Sequence, residues 1–77
     1  MHEMAVASAI LDAVADKYDG RRVLRVVVEI GRMAAVLPDA LQFCFEVASQ
    51  GTKAEGAALD VVVLGGSELR VREMEVA

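Results

Sequence analysis

The residues of this chain with the clearest metal-binding chemistry are its first three, Met-His-Glu. His2 is the only histidine among the 77 residues, and it lies one peptide bond from an α-amine. The ordinary pKa values of an α-amine (roughly 7.7–8.0) and of an imidazole (about 6.5) are such that protons compete only weakly with a metal ion at neutral pH. A histidine in this place is either part of a frayed end or part of a metal chelate.

Metal chelation at this segment would form rings of favourable size. The Met1 amine and the His2 amide nitrogen close a five-membered ring, and His2 Nδ1 closes a six-membered ring with the same amide. The Glu3 amide nitrogen can close a further five-membered ring. A plane of nitrogen donors suits Ni(II) or Cu(II). We therefore predict Met1, His2 and Glu3 as metal ligands.

This set of ligands has more members than a square plane can use. Three groups compete for the two positions beside the His2 amide, so either the Met1 amine or the Glu3 amide is expected to lie outside the plane. The position opposite the His2 amide must be filled by water, another chain or a partner. Such an open site suits delivery of a metal better than its storage.

Residues beyond the first three show no pattern typical of a catalytic site. Cys44 is the only cysteine, and it falls on the apolar face of a predicted helix, where a thiol usually acts as a small hydrophobic group. Asp12 and Asp16 share a helix face, which a solvated surface explains. The chain has no glycine-rich phosphate loop and no nucleophile elbow. We predict no catalytic residues and no enzymatic activity.

Composition excludes several further classes of protein. Twelve acidic against eight basic residues give a formal charge of −4, which argues against a nucleic-acid partner. The small basic cluster of Arg21, Arg22 and Arg25 is interpreted as a solvated entrance to a strand. No apolar run reaches the length of a membrane span and no signal peptide is recognised, so we expect a cytoplasmic location and no membrane contact.

The elements that would position the first three residues follow from periodicity. Apolar residues at three- and four-residue spacing predict a first helix that begins near Glu3 or Met4 and stops before Gly20. Alternation over residues 23–31 predicts a strand whose buried, fully apolar face carries Leu24, Val26, Val28 and Ile30. Pro38 suits the first turn of a second helix, which should end before Gly51 and be well buried.

The last part of the chain predicts two more strands. Residues 59–63 alternate, and Gly65-Gly66 suits a tight hairpin turn between this strand and the strand ELRVREMEV. The apolar residues of that last strand change parity, which predicts a β-bulge near Arg72 and Glu73. The expected fold class is α+β, with two helices packed on one face of a three-stranded sheet in the order α-β-α-β-β.

Several motifs together resemble a known family. They are the MHE start, the EIG that ends the first strand, P-x-A-L-x-F-x-F-E in the second helix, G-T-x-A-E-G-A before the second strand, and the closing ELRVREMEV. In this order they resemble the nickel-binding domain of the HypA/HybF hydrogenase-maturation metallochaperones over nearly every residue. The resemblance implies a chaperone that passes Ni(II) to the [NiFe]-hydrogenase large subunit with the GTPase HypB. It further implies that His2 is the essential nickel ligand and that Glu3 supports the site.

The chain departs from that family at one place. Family members carry a zinc domain with two CxxC pairs between the second and last strands, whereas here the chain runs from Leu64 through two glycines to Ser67. We therefore interpret residues 1–77 as a single nickel-binding domain that lacks the zinc domain near residues 64–66, and zinc is not expected. The alternative interpretation is a metal-independent protein-interaction domain that keeps only the fold. The expected assembly is a monomer or a dimer that exchanges elements between chains.

Overall fold

The computed structural model describes residues 2–77, so Met1, one of the predicted metal ligands, lies outside the described residues. The elements are α1 (Glu3–Asp16), β1 (Val23–Gly31), a 3-10 turn (Arg32–Ala34), α2 (Pro38–Ser49), β2 (Ala58–Leu64) and β3 (Leu69–Val76). This order confirms the predicted α-β-α-β-β arrangement and the α+β class.

The core lies between the two helices and one face of the sheet. It is built from one stripe of each helix and from alternate residues of the strands, as periodicities of 3.6 and 2 require. The buried members are Val6, Ala7, Ile10, Val14, Val23, Val26, Val28, Ile30, Leu41, Phe45, Ala54 and Leu59. Cys44 is half-buried and packs against this cluster.

The strand order is β2-β1-β3, with β1 parallel to β2 and antiparallel to β3. The predicted hairpin between the second and third strands is therefore wrong, and neither Gly65 nor Gly66 has the positive φ of a primed turn. The central place goes to β1, whose Val26, Val27 and Val28 are all buried, as is usual for a strand flanked by a neighbour on each side. Helix α2 supplies the crossover that a parallel β1–β2 pair requires.

The connection from β2 to β3 passes over the carboxyl end of β1. The Gly31 amide donates to the Glu68 carbonyl at 2.8 Å, and the Met33 amide donates to the Gly66 carbonyl at 3.0 Å. A Cβ atom on Gly31 would lie 1.9 Å from the Gly66 carbonyl oxygen. Glycine is therefore required at position 31 by a close backbone approach.

The β-bulge predicted in the last strand is confirmed. Val27 pairs with Glu73 and Val28 pairs with Val71, so Arg72 is the extra residue of β3. Because of this insertion, the apolar residues on both sides of Arg72 face the helices.

A second bulge in β1 was not predicted. Val23 pairs with Val76 and Arg25 pairs with Glu75, which leaves Leu24 as the extra residue. The expectation that Leu24 lies on the buried face is therefore wrong. Val23 takes that place, and 45% of Leu24 is exposed.

Both ends of α2 and the start of α1 agree with prediction, but the end of α1 does not. Helix α2 begins at Pro38, and Gly51 follows it with a φ of +79°, as predicted. Helix α1 ends at Asp16, and Gly20 instead takes its positive φ in the turn that leads to β1. The outer part of the α2 stripe is exposed at Phe43 and Val47, so the expectation of a well-buried α2 is wrong on that side.

Candidate metal site

His2 occupies the N-cap position of α1. Its backbone is extended, with φ −85° and ψ 96°, and its carbonyl accepts the Val6 amide at 3.1 Å. Its side chain is exposed and makes no capping hydrogen bond. The predicted helix start near Glu3 or Met4 is therefore confirmed. It places His2 at the positive end of the helix, where the imidazole can turn toward a ligand.

The Glu3 amide is the first of the helix. Val6 is the first residue whose amide bonds within the helix, so the Glu3 amide belongs to the first turn, whose N–H groups have no intrahelical acceptor. Deprotonating this amide for metal binding would break no helical hydrogen bond. The positive end of the helix dipole also favours the anionic nitrogen that results.

The Glu3 carboxylate ties the amino-terminal segment to the second helix. The Leu37 amide donates to Glu3 Oε2 at 3.1 Å, and Leu37 is the N-cap residue of α2. This bond, more than any other effect, lowers the pKa of Glu3 below its ordinary value of 4.5. Residues 34 positions apart are thereby joined. No local signal in the sequence marks Leu37 as a neighbour of the site.

In the described part of the chain, side-chain ligands alone do not form a metal site. Within residues 2–77, no three histidine, cysteine, aspartate or glutamate side chains come together in a group that could hold a metal ion. Any site at His2 and Glu3 would therefore depend on backbone nitrogens. That dependence suits the tetragonal nitrogen coordination of Ni(II) and Cu(II).

The basic cluster near β1 is engaged within the chain. Arg21 bonds Asp19 at 2.6 Å, Arg25 bonds Asp60 at 2.7 Å, and Arg22 donates to a loop carbonyl. The Arg21 guanidinium lowers the pKa of Asp19, mainly through this side-chain hydrogen bond. These contacts support the interpretation of a solvated strand entrance. Over the described residues, no helix has the length and apolar character needed to cross a membrane.

Comparison with known proteins identifies one family. Residues 1–67 match the family model described as hydrogenase/urease nickel incorporation, metallochaperone, hypA. Hydrogenase maturation factor HypA of Trichormus variabilis is 42% identical over 66 residues, which cover 86% of this chain and 58% of that protein. The HypA protein of Dechloromonas aromatica is 43% identical over 70 residues, covering 87% of this chain and 62% of the relative. The matched family consists of metallochaperones and not enzymes, which agrees with the predicted lack of catalysis.

One relative aligns along its whole length. The HypA protein of Geobacter sulfurreducens is 34% identical over 109 aligned positions that cover 99% of both chains. Because this alignment is longer than the 77 residues here, the relative carries internal residues that this chain lacks. The chain spans about 58% of the length of the Trichormus relative.

Proposed function

This chain belongs to the HypA family of nickel-incorporation metallochaperones, and on that premise we propose that its first three residues bind Ni(II) for insertion into [NiFe]-hydrogenase. The ligands are the His2 imidazole and the backbone nitrogens of His2 and Glu3, with the Met1 amine competing for one position. The observation that carries the proposal is the location of His2. It is an exposed, uncapped N-cap residue, and the Glu3 amide that follows it precedes the first i→i−4 hydrogen bond of the helix.

The charge balance at the helix end supports the use of amide nitrogens. A dication placed at the positive end of a helix is repelled by the dipole. Two deprotonated amides offset the charge of the metal, so the complex as a whole no longer meets that repulsion. The hydrogen bond from Leu37 to Glu3 meanwhile restrains the segment against α2.

The zinc domain of the family is proposed to be absent between β2 and β3. The crossing connection has only the four residues 65–68, between Leu64 and Leu69. A HypB-type GTPase and the hydrogenase large subunit are the proposed partners. If contacts to them came from the zinc domain, this chain would bind nickel and deliver it poorly.

Nickel titration tests the site. Adding Ni(II) while recording the d–d absorption of a planar nitrogen complex should give one equivalent in the parent chain and none in His2→Ala. The matched control is Glu3→Gln, which keeps the Glu3 amide nitrogen and changes only the carboxylate. Equal binding by His2→Ala and the parent would refute the assignment. Cu(II) should bind at least as tightly as Ni(II), following the order of divalent-metal affinities.

A chain extended at its amino terminus separates the competing nitrogens. The extension blocks the Met1 amine and leaves the His2 side chain and the Glu3 amide unchanged. Retained binding with the same absorption would place the Glu3 amide in the plane. Loss of binding would assign that position to the Met1 amine.

A metal-independent interaction domain remains the second candidate, favoured by exposed apolar side chains. Met33, Leu37 and Phe43 are 77%, 66% and 65% exposed. Capture of the GTPase by the parent and by His2→Ala, with and without Ni(II), distinguishes the two functions. An interaction domain captures the GTPase equally in all four cases, whereas a nickel carrier depends on His2 and the metal.

A further inference from the structure

The two margins of the sheet differ in how they are protected. On one margin, β3 carries four charged residues and a bulge at Arg72, the usual devices against pairing with another chain. On the other margin, β2 has the sequence ALDVVVL, with no proline, lysine or bulge, and one charge at Asp60. Among residues 2–77, the only strand paired with β2 is β1.

The register shows which backbone groups of β2 face outward. The Gly31 amide points toward β3. Backbone N–H and C=O groups alternate in direction along a strand, so those of Val28 point toward β2. In a parallel ladder such a residue hydrogen-bonds to the two residues on either side of its partner, and the partner of Val28 is Val61. Leu59, Val61 and Val63 therefore present their amide and carbonyl groups to the free edge.

A side-chain contact agrees with this assignment. Gln42 Nε2 on α2 donates to the Leu59 carbonyl at 2.6 Å, which requires that oxygen to be accessible from outside the ladder. A carbonyl oxygen has two lone pairs, so it can accept a second hydrogen bond. Within residues 2–77, the edge is thus a row of three residues whose outward groups have no partner apart from this one contact.

The row is complementary to itself about a two-fold axis. In an antiparallel pairing centred on Val61, Leu59 lies opposite Val63 of a second copy, and Asp60 lies opposite Val62. The outward groups then meet as hydrogen-bonded pairs. Asp60 is not placed opposite another acid, and it is already paired with Arg25 within its own chain.

The side chains beside this edge fit the same arrangement. A cleft of about 500 Å³ lies between α2 and the start of β2 and is bordered by Phe43 and Leu59. The two-fold axis brings Val63 of the second copy, half exposed in the isolated chain, to the mouth of this cleft. Phe43 of α2, beside the start of β2, and Val63 of the second copy, near the end of its β2, would thereby cover each other.

We propose that β2 is an interface for a second copy of this chain, which joins two three-stranded sheets into one of six strands. The interface is isologous, as a two-fold dimer requires. It differs from an exchanged dimer because each β3 stays paired with its own β1. It makes no use of His2, so it is independent of nickel.

Sedimentation equilibrium over a range of concentrations tests the proposal. The weight-average mass should rise from 8.2 kDa toward that of two chains. Raising the salt concentration should tighten the dimer, because each copy carries a charge of −4 and their repulsion is screened. A mass of one chain at every concentration up to the millimolar range would overturn the proposal and leave the edge to a strand of another protein.

Proline at the centre of the edge provides the first variant. In Val61→Pro the lost N–H is one that faces outward, so the β1–β2 ladder keeps its hydrogen bonds. Two hydrogen bonds between copies are lost, which should raise the dimer dissociation constant roughly tenfold to a hundredfold. A far-UV circular dichroism spectrum like that of the parent confirms that the variant folds. An unchanged dissociation constant in the folded variant would refute the β2 interface and favour exchange of β3.

A pair of charge variants tests the register. Val62 lies opposite Asp60 of the second copy, so Val62→Glu should weaken the dimer several-fold and Val62→Lys should strengthen it. Both are measured well below their own unfolding temperatures, because Val62 also lies opposite Glu29 on β1 and each substitution changes the stability of the single chain. Equal dissociation constants for the two variants would contradict the proposed pairing.

Discussion

Replacement of Gly31 by alanine should be among the most damaging single-methyl additions to this protein. Position 31 lies where the β2–β3 connection crosses the end of β1. The new Cβ would lie 1.9 Å from the Gly66 oxygen and 2.3 Å from the Gly66 carbonyl carbon. Both are backbone atoms, so no side-chain rotation can relieve the contact.

The size of the effect follows from these distances. Ordinary van der Waals contact begins at 3.4 Å, whereas the new Cβ would lie 1.9 Å from the Gly66 oxygen. The Gly66 backbone must therefore move away by about 1.5 Å. That movement breaks the hydrogen bonds from Gly31 to Glu68 and from Met33 to Gly66. Each contributes about 1 kcal/mol, and forced overpacking costs a further 1–3 kcal/mol or so. We expect a loss of about 3–5 kcal/mol, which is a large part of the roughly 4–12 kcal/mol typical of a chain this long.

Equilibrium unfolding in urea, followed by circular dichroism, measures the loss. The matched control is Gly65→Ala in the same connection, where a Cβ meets nothing within 4 Å and φ is not positive. Gly65→Ala should therefore change the free energy of unfolding by less than about 1 kcal/mol, and in the stabilising direction if at all.

Lengthening the connection provides a rescue. Three residues inserted after Gly66 allow the crossing backbone to pass farther from position 31, so Gly31→Ala should cost much less in that background. The steric argument is refuted if Gly31→Ala unfolds at the same urea concentration as Gly65→Ala. It is also refuted if the insertion restores nothing.

Three further predictions concern the core, the amino-terminal contact and the bulge. Phe45→Ala should lower the free energy of unfolding by about 3–5 kcal/mol, whereas Phe43→Ala on the exposed side of the same helix should change it by less than about 1 kcal/mol in urea unfolding. The pKa of Glu3 is lowered in the fold, so its carboxylate stabilises the protein above the ordinary value of 4.5 and loses this contribution as the pH falls through the folded value. Thermal unfolding from pH 6 to pH 3 should thus show a shallower pH dependence for Glu3→Gln than for the parent. Deletion of Arg72 leaves a regularly alternating strand and should be tolerated within about 1 kcal/mol, whereas deletion of Glu75 turns Val76 to the outer face and should cost more.

Local patterns in the sequence predicted the elements well. The bounds of β1, the start of α2 and the left-handed Gly51 all follow from periodicity and capping chemistry within a few neighbouring residues. The bulge at Arg72 could be predicted because a change of parity is itself a sequence pattern. The bulge at Leu24 could not, because Val23 and Leu24 are both apolar and the local pattern does not show which of them faces the core.

The candidate metal site was recognisable from the order of the residues in the chain. Chelate-ring size depends only on the bonds that join Met1, His2 and Glu3, so it needs no knowledge of the fold. The tertiary structure adds the hydrogen bond from Leu37 to Glu3, which no local pattern marks.

The sequence alone therefore determined the element order, the Arg72 bulge and the candidate ligands, because each depends on neighbouring residues. Only the tertiary structure decided the strand order, the need for glycine at position 31 and the exposed edge of β2. The two glycines after β2 suit a hairpin locally, but pairing β2 with β3 would leave β1 at a margin of the sheet. With β1 between β2 and β3, its buried valines have a neighbouring strand on each side. The burial gained in this way outweighs the local preference of the two glycines for a hairpin turn.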